Sequence, residues 1–154
     1  MKRYIAAMDQ GTTSSRTIVF DGEGRIVSSA QEEFRQLYPK PGWVEHDCRD
    51  IVDTQLRSFR AALKNGGVAP EEIAALGIAN QRETVAVWDR FTGKPVYNAI
   101  VWQCRRTSEF CEHLKTRHAK MIYDKTGLNV DAYFSASKIK WILDNVPFAR
   151  KRAE

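Results

Sequence analysis

The sequence contains no run of about 18 consecutive apolar residues, so nothing in it predicts a membrane-spanning helix. The charged start Met1-Lys2-Arg3 leads into an apolar stretch that Asp9 interrupts, too short for the core of a signal peptide, and a cytoplasmic address is expected. There are only three cysteines, Cys48, Cys104 and Cys111, an odd number without metal-type spacing, which predicts free thiols in a reducing compartment. The three histidines, His46, His113 and His118, share no helical face at i,i+4, so no metal site is expected of them; His113 and His118 read as polar surface residues of a helix. No GxxxxGK[ST] occurs, which excludes a P-loop. Gly22-Glu23-Gly24-Arg25-Ile26-Val27 lacks the third glycine of a dinucleotide fingerprint and lies in a turn rather than between a strand and a helix. Internal repeats and low-complexity segments are absent as well. The net charge is +5, from 24 Lys and Arg against 19 Asp and Glu, but only Arg105-Arg106 and Arg150-Lys151-Arg152 cluster. Without an aromatic-interleaved basic stretch, nucleic-acid binding is not expected; a solvated basic surface that tolerates anionic ligands is.

What is present is enough for one domain with a core: 154 residues, 43% hydrophobic and 28% charged. The most informative stretch is Asp9-Gln10-Gly11-Thr12-Thr13-Ser14-Ser15-Arg16, set between the apolar runs Tyr4–Met8 and Thr17–Phe20. It predicts a strand, a tight polar turn and a second strand. Gly11 lets the backbone approach an anion, and successive N–H groups around a turn form an anion-binding concavity. The hydroxyls of Thr12, Thr13, Ser14 and Ser15 add donors, and Arg16 adds a planar fork suited to phosphate oxygens. Asp9 would repel phosphate unless a cation lay between them, and Mg²⁺ is the natural bridge. Local composition alone equally suits a Thr/Ser-rich hairpin with an ordinary surface Asp.

The elements that follow suggest an α/β mixed sheet with helices packed on it. Arg25–Phe34 continues the hairpin as a third antiparallel strand after the turn Asp21–Gly24. Tyr38–Trp43 is a stiff, proline-bearing loop. Val52, Leu56, Phe59 and Leu63 repeat at helical spacing as the apolar stripe of a helix, with Asp47 as N-cap and Asn65-Gly66-Gly67 as its stop. Pro70-Glu71-Glu72 starts a short helical turn, and Ile73–Ala79 looks like a buried strand. Thr84–Trp88 and Ala99–Trp102 read as further strands, with Phe91–Pro95 as a turn. Thr107, Phe110, Cys111 and Leu114 mark a second helix; Ile139, Ile142, Leu143 and Val146 mark a third. The segment from Pro147 onward looks like the start of a helix or connector.

Two more groups could carry chemistry. Asn80-Gln81-Arg82-Glu83 follows an apolar strand directly, where strand ends in α/β proteins present ligand-binding side chains. Arg82 can donate to hydroxyl oxygens and Glu83 can accept from hydroxyl hydrogens, a pairing suited to a vicinal polyol. The plainer alternative is an Arg–Glu pair on a loop, contributing ~0–1 kcal/mol. Trp102 at a strand end, and Tyr133-Phe134 on a loop, could supply an aromatic face for a carbon backbone and a phenol for a hydroxyl, although a single aromatic is more often core than site.

The blocks Asp9–Arg16, Tyr38–Asp47, Asn80–Thr84 and Asn98–Thr107, in that order, resemble the glycerol kinase branch of the FGGY carbohydrate kinases, within the actin-like ATPase superfamily. The resemblance implies an RNase H-like domain and ATP-dependent phosphorylation of glycerol to sn-glycerol 3-phosphate. It assigns Gly11, Thr12, Thr13 and Ser14 to the nucleotide phosphates, Arg16 to the transferring phosphoryl group and Asp9 to Mg²⁺ through water. Arg82, Glu83 and Tyr133 would bind the glycerol hydroxyls and Trp102 its carbons. It also places the catalytic base, an Asp, and a second domain downstream of these residues, so that 1–154 is expected to be an incomplete N-terminal domain of a two-domain kinase and nearly inactive alone. A homo-oligomer is expected for the complete enzyme. The alternatives are a kinase of another polyol or sugar of the family, and a non-catalytic binding module derived from the fold.

Overall fold

The computed structural model describes residues 3–154, so Met1 and Lys2 of the charged start lie outside the described residues. The chain divides into two compact units, one built from residues through Arg35 together with Arg49–Gln81, the other from Gln36–Cys48 together with Arg82–Glu154.

The first unit carries the sheet. Strands β1 (Tyr4–Gln10), β2 (Ser14–Phe20) and β3 (Ile26–Glu33) form the expected antiparallel meander, and β5 (Ile73–Ala79) adds parallel to β1, giving the order β3-β2-β1-β5. A parallel neighbour needs a long crossover, and helix α1 (Cys48–Gly66) lies within it. The stop falls where expected: Gly67 takes φ +61°, a left-handed position that glycine fills without a Cβ penalty.

The expected apolar stripe of α1 is buried only in its second half, where Leu63 joins the core and Phe59 packs against it. Val52 is 55% and Leu56 41% exposed, while Thr54, Ser58, Ala62 and Leu63 are buried. Inward-facing Ser15 and Thr17, two apart on β2, meet Thr54 and Ser58, four apart on α1, at 2.7 Å and 3.0 Å. The side-chain amide of Gln55 donates to the Thr17 hydroxyl at 3.1 Å. A row of matched hydroxyls thus joins helix to sheet, and the apolar core of the unit, Val19, Ala62, Leu63 and Val68, sits beyond it. Strand β5, at the edge of the sheet, is buried only at its start: Ile73 packs against the Ala62–Leu63 cluster, while Leu76 is 54% and Ile78 74% exposed.

The second unit has little regular sheet. Strand β4 (Glu45–His46) pairs antiparallel with β6 (Ala99–Ile100), and helices α2 (Ser108–Thr126), α3 (Ser135–Asn145) and α4 (Ala149–Ala153) follow. His113 and His118 are exposed on α2, as expected. The expected strand Thr84–Trp88 does not form; Val85 bridges Ile100 and Trp88 bridges Pro95 only singly. A constant register from Val85–Ile100 would set Trp88 opposite Tyr97, but it lies opposite Pro95 instead. Tyr97 and Asn98 have left the ladder, and both donate side-chain hydrogen bonds to Glu45, at 2.7 Å and 2.8 Å. The ladder is interrupted to satisfy a buried carboxylate.

Around that carboxylate the core is unusual. Arg106 Nη2 donates to Glu45 Oε1 at 2.6 Å, with the two side chains 0% and 2% exposed. The Arg106 guanidinium carbon lies 3.9 Å from the ring centroid of Trp43 and 4.5 Å from that of Trp141. Ring faces of this kind attract a desolvated cation. Val85, Ile100, Cys104, Ile142 and Ala149 complete the cluster. All three cysteines are free thiols, as expected, and burial pushes the Cys48 thiol up from its ordinary pKa.

Candidate phosphate and polyol sites

The anion-binding stretch proves shorter as a turn than the sequence suggests. β1 continues to Gln10 and β2 begins at Ser14, leaving Gly11, Thr12 and Thr13 to close the hairpin. The turn residue Gly11 donates its N–H to the Ser14 carbonyl at 2.9 Å, and a Cβ placed on Gly11 would lie 2.9 Å from that same oxygen. Only glycine lets the hairpin close this tightly. Thr13 is exposed at the tip, and the Ser14 hydroxyl accepts from Gln31 Nε2 at 2.9 Å. Ser15, expected among the phosphate donors, instead points at α1 and is fully buried. The alternation of strand side chains sends it to one face and Ser14 and Arg16 to the other.

Asp9 and Arg16 are register partners across β1 and β2, and Arg16 Nη2 meets Asp9 Oδ2 at 2.7 Å. Their side chains are 43% and 47% exposed, so the pair is screened by water and readily exchanged. Among the described residues no three His, Cys, Asp or Glu side chains gather as a preformed metal cage. Mg²⁺ on a nucleotide keeps several waters and takes one or two carboxylates besides phosphate oxygens, and the half-exposed Asp9 offers one such carboxylate. The donor set of the hairpin fits such a group.

In the second unit, the three segments expected to form a polyol site are tied together. Arg82 is exposed and makes no hydrogen bond or ion pair among the described residues; it does not pair with Glu83. Glu83 takes φ +66°, a left-handed conformation uncommon away from glycine, and such strain persists where neighbours enforce it. The enforcing contact is the start of α3: the Ser135 backbone N–H and hydroxyl both donate to Glu83 Oε2, at 2.9 Å and 2.6 Å. A carboxylate there is favoured by the unpaired N–H groups and the dipole of the helix. The Thr84 hydroxyl, next in the chain, accepts the Trp102 backbone N–H at 3.3 Å, which ties the main chain at Trp102 to this segment. Trp102 and Tyr133 meet edge to face with centroids 5.7 Å apart, and Tyr133 packs likewise on Phe134 at 5.2 Å. The structure therefore brings Glu83, Trp102 and Tyr133 together within one unit.

Sequence reasoning missed the residues that hold this arrangement. Arg105 pairs with Asp131 at 2.8 Å, and the Asp131 carboxylate also accepts the Tyr133 N–H at 2.7 Å. The bonds to Tyr133 and Arg105 outweigh partial burial and hold Asp131 below its ordinary pKa. The signal available in the sequence was an acid two residues before a loop aromatic, an Asx-turn pattern.

Comparison with known proteins gives this geometry its context. The fold is α/β and RNase H-like, a mixed sheet with helices: a Plasmodium falciparum glycerol kinase solved with ADP superposes with TM-score 0.87 at 36% identity, over 96% of this chain and 30% of that one. A Lactobacillus acidophilus gluconate kinase, at 23% identity, shares the fold at TM-score 0.87, over 97% of this chain and 30% of that one. The chain belongs to the FGGY family of carbohydrate kinases, whose N-terminal domain matches residues 4–154. It is 58% identical over 155 residues to the glycerol kinase of Caldanaerobacter subterraneus subsp. tengcongensis, covering 100% of this chain and 31% of the relative. It is 58% identical over 153 residues to glycerol kinase 2 of Thermotoga maritima, covering 99% of this chain and 31% of the relative. The chain thus spans about a third of the length of these curated relatives. Among the described residues no helix is long and apolar enough to cross a membrane.

Proposed function

We propose that these residues supply the phosphate hairpin and most of the polyol site of an ATP-dependent kinase that converts glycerol to sn-glycerol 3-phosphate in the cytoplasm. The observation that carries this reading is the joined set Glu83, Trp102 and Tyr133, with Arg82 exposed beside it and uncommitted to any ion pair. An acceptor, a fork of donors, an aromatic face and a phenol match what a three-carbon alcohol presents: alternating hydroxyls on a short apolar chain. Glu83 holds α3 with one oxygen, Oε2, and its other oxygen makes no hydrogen bond among the described residues.

On the hairpin, Gly11, Thr12, Thr13 and Ser14 would hold the nucleotide phosphates and Arg16 the transferring group. Asp9 would steady Mg²⁺ through water. The bound Mg-nucleotide supplies the phosphoryl group and neutralises its charge, and catalysis of such a transfer is mostly positioning and charge stabilisation. Part of the proposal is that 1–154 is an incomplete N-terminal domain, with the general base and a second domain lying elsewhere in a homo-oligomeric enzyme. Loss of a positioned base costs ~100- to 10,000-fold in rate, so the 154 residues alone should turn over poorly.

A coupled ADP-release assay on the complete gene product, with a panel of polyols and sugars, tests the assignment. Arg82→Ala is expected to raise the KM for glycerol by about 10- to 100-fold, the loss of a charge-assisted hydrogen-bonding fork. Equal use of a pentulose and glycerol by the unaltered enzyme would contradict it.

A further inference from the structure

Lys138 is fully buried in the first turn of α3, where a positive charge is disfavoured by the helix dipole. Its ammonium makes no ion pair among the described residues. Instead Nζ donates to three successive backbone carbonyls, those of Ala132 at 3.0 Å, Phe134 at 2.9 Å and Tyr133. Three donors meet three acceptors, which is the full capacity of the group. These carbonyls belong to the loop that carries Tyr133 and delivers the chain to Ser135, where Glu83 closes on the helix. The same loop is fixed from its other side by Asp131, through the Tyr133 N–H and Arg105. Ala132 is buried against Cys111 and Val130, so the loop cannot slide without disturbing that cluster.

We infer that Lys138 is a positioning residue for the polyol pocket: by gathering the carbonyls of Ala132, Tyr133 and Phe134 it sets the Tyr133 phenol and the Trp102–Tyr133 contact at the distance the substrate needs. Resting on the proposed polyol site, the inference assigns that site a support that touches no substrate. Burial lowers the Lys138 pKa to about 8, the negative charge of Glu83 opposing the shift. A burial cost of this kind is sustained where the surrounding geometry requires the charge.

A side chain whose support is lost shifts by ~1 Å, and such a misplacement costs ~100-fold in rate or affinity. Lys138→Met, in the complete gene product, is therefore expected to raise the KM for glycerol by about 10- to 100-fold while the KM for ATP stays within about threefold. Lys138→Gln, which retains a donor, is expected to fall between. An unchanged glycerol KM in a folded Lys138→Met variant, or equal rises in both KM values, would overturn the inference. Should neither variant fold, the Nζ nitrogen resonance of the unaltered protein decides: protection of its protons from water and a shift on adding glycerol support the role. An Nζ resonance that ignores glycerol while Trp fluorescence responds to it counts against the role. No glycerol response at all in the unaltered protein defeats the polyol assignment itself, and this inference with it.

Discussion

Two carboxylate–guanidinium pairs of nearly identical length occupy the two units of this chain. Asp9 and Arg16 meet at 2.7 Å with their side chains 43% and 47% exposed, whereas Glu45 and Arg106 meet at 2.6 Å with both almost wholly buried. Distance alone would rank them equal. The exposed pair trades water for a partner in high dielectric and gains ~0–1 kcal/mol. The buried pair has given up its water entirely, and its members are held by Tyr97, Asn98, Cys104 and two tryptophan rings instead. The exposed pair can exchange its partners with solvent, and the buried one cannot be opened without opening the core.

The comparison breaks most visibly at Glu45. Removing one partner of a buried pair leaves an uncompensated charge and costs ~3–5 kcal/mol. Glu45→Gln is therefore expected to lower the stability of the protein by about that amount, read from urea denaturation midpoints at neutral pH. A loss below about 1 kcal/mol, the range of an exposed pair, would erase the distinction.

Little of that network was legible in the sequence, and the reason is physical. The hairpin, the helix stop at Gly67 and the order of strands and helices follow from local alternation, glycine placement and turn chemistry. Glu45 and Arg106 are 61 residues apart, and no periodicity links them. The register slip at Tyr97-Asn98 serves a carboxylate that lies in another segment. The same limit explains α1. Apolar spacing marks Phe59 and Leu63, which do meet the core, but also Val52 and Leu56, which do not, while Thr54 and Ser58 meet β2 through hydroxyls whose match appears only when helix and sheet are brought together. Exposure of β5 has a simpler origin, since an edge strand and a central strand share one apolar composition. Within the proposed polyol site, Arg82, Glu83, Trp102 and Tyr133 were picked out by residue type and order, whereas Lys138, Asp131 and Arg105 were not, because their contacts form only in the folded loop.

Acid sharpens the same contrast. Burial pushes the Glu45 carboxyl up, but hydrogen bonds from Asn98, Tyr97 and Arg106 together outweigh it and hold the group below its ordinary pKa. A carboxyl depressed in the folded state contributes stability that is present above its unfolded pKa, about 4.3, and lost as pH falls through the folded value. The denaturation midpoint of the unaltered protein should therefore fall more steeply below about pH 4.3 than that of Glu45→Gln, which has no such group to protonate. Parallel profiles would show that the pair contributes nothing through its ionisation.

Asp9 marks the other end of the scale, and its variant separates stability from function. Asp9→Asn keeps the size of the side chain and a hydrogen-bond acceptor for Arg16 while removing the charge. Because the pair is exposed and screened, the expected loss of stability is at most about 1 kcal/mol, falling further at high salt as the Debye length shortens. If the hairpin holds a nucleotide through a hydrated metal ion, the same change should weaken Mg-ATP binding well beyond its effect on folding, and titration calorimetry with and without Mg²⁺ reads the difference. Calorimetry would show the unaltered protein gaining affinity from Mg²⁺ and the variant gaining much less. An Asp9→Asn protein that binds Mg-ATP normally would mean that the Asp9 carboxylate serves only its cross-strand arginine, and the contrast between an exchangeable and a permanent pair would lose its functional meaning.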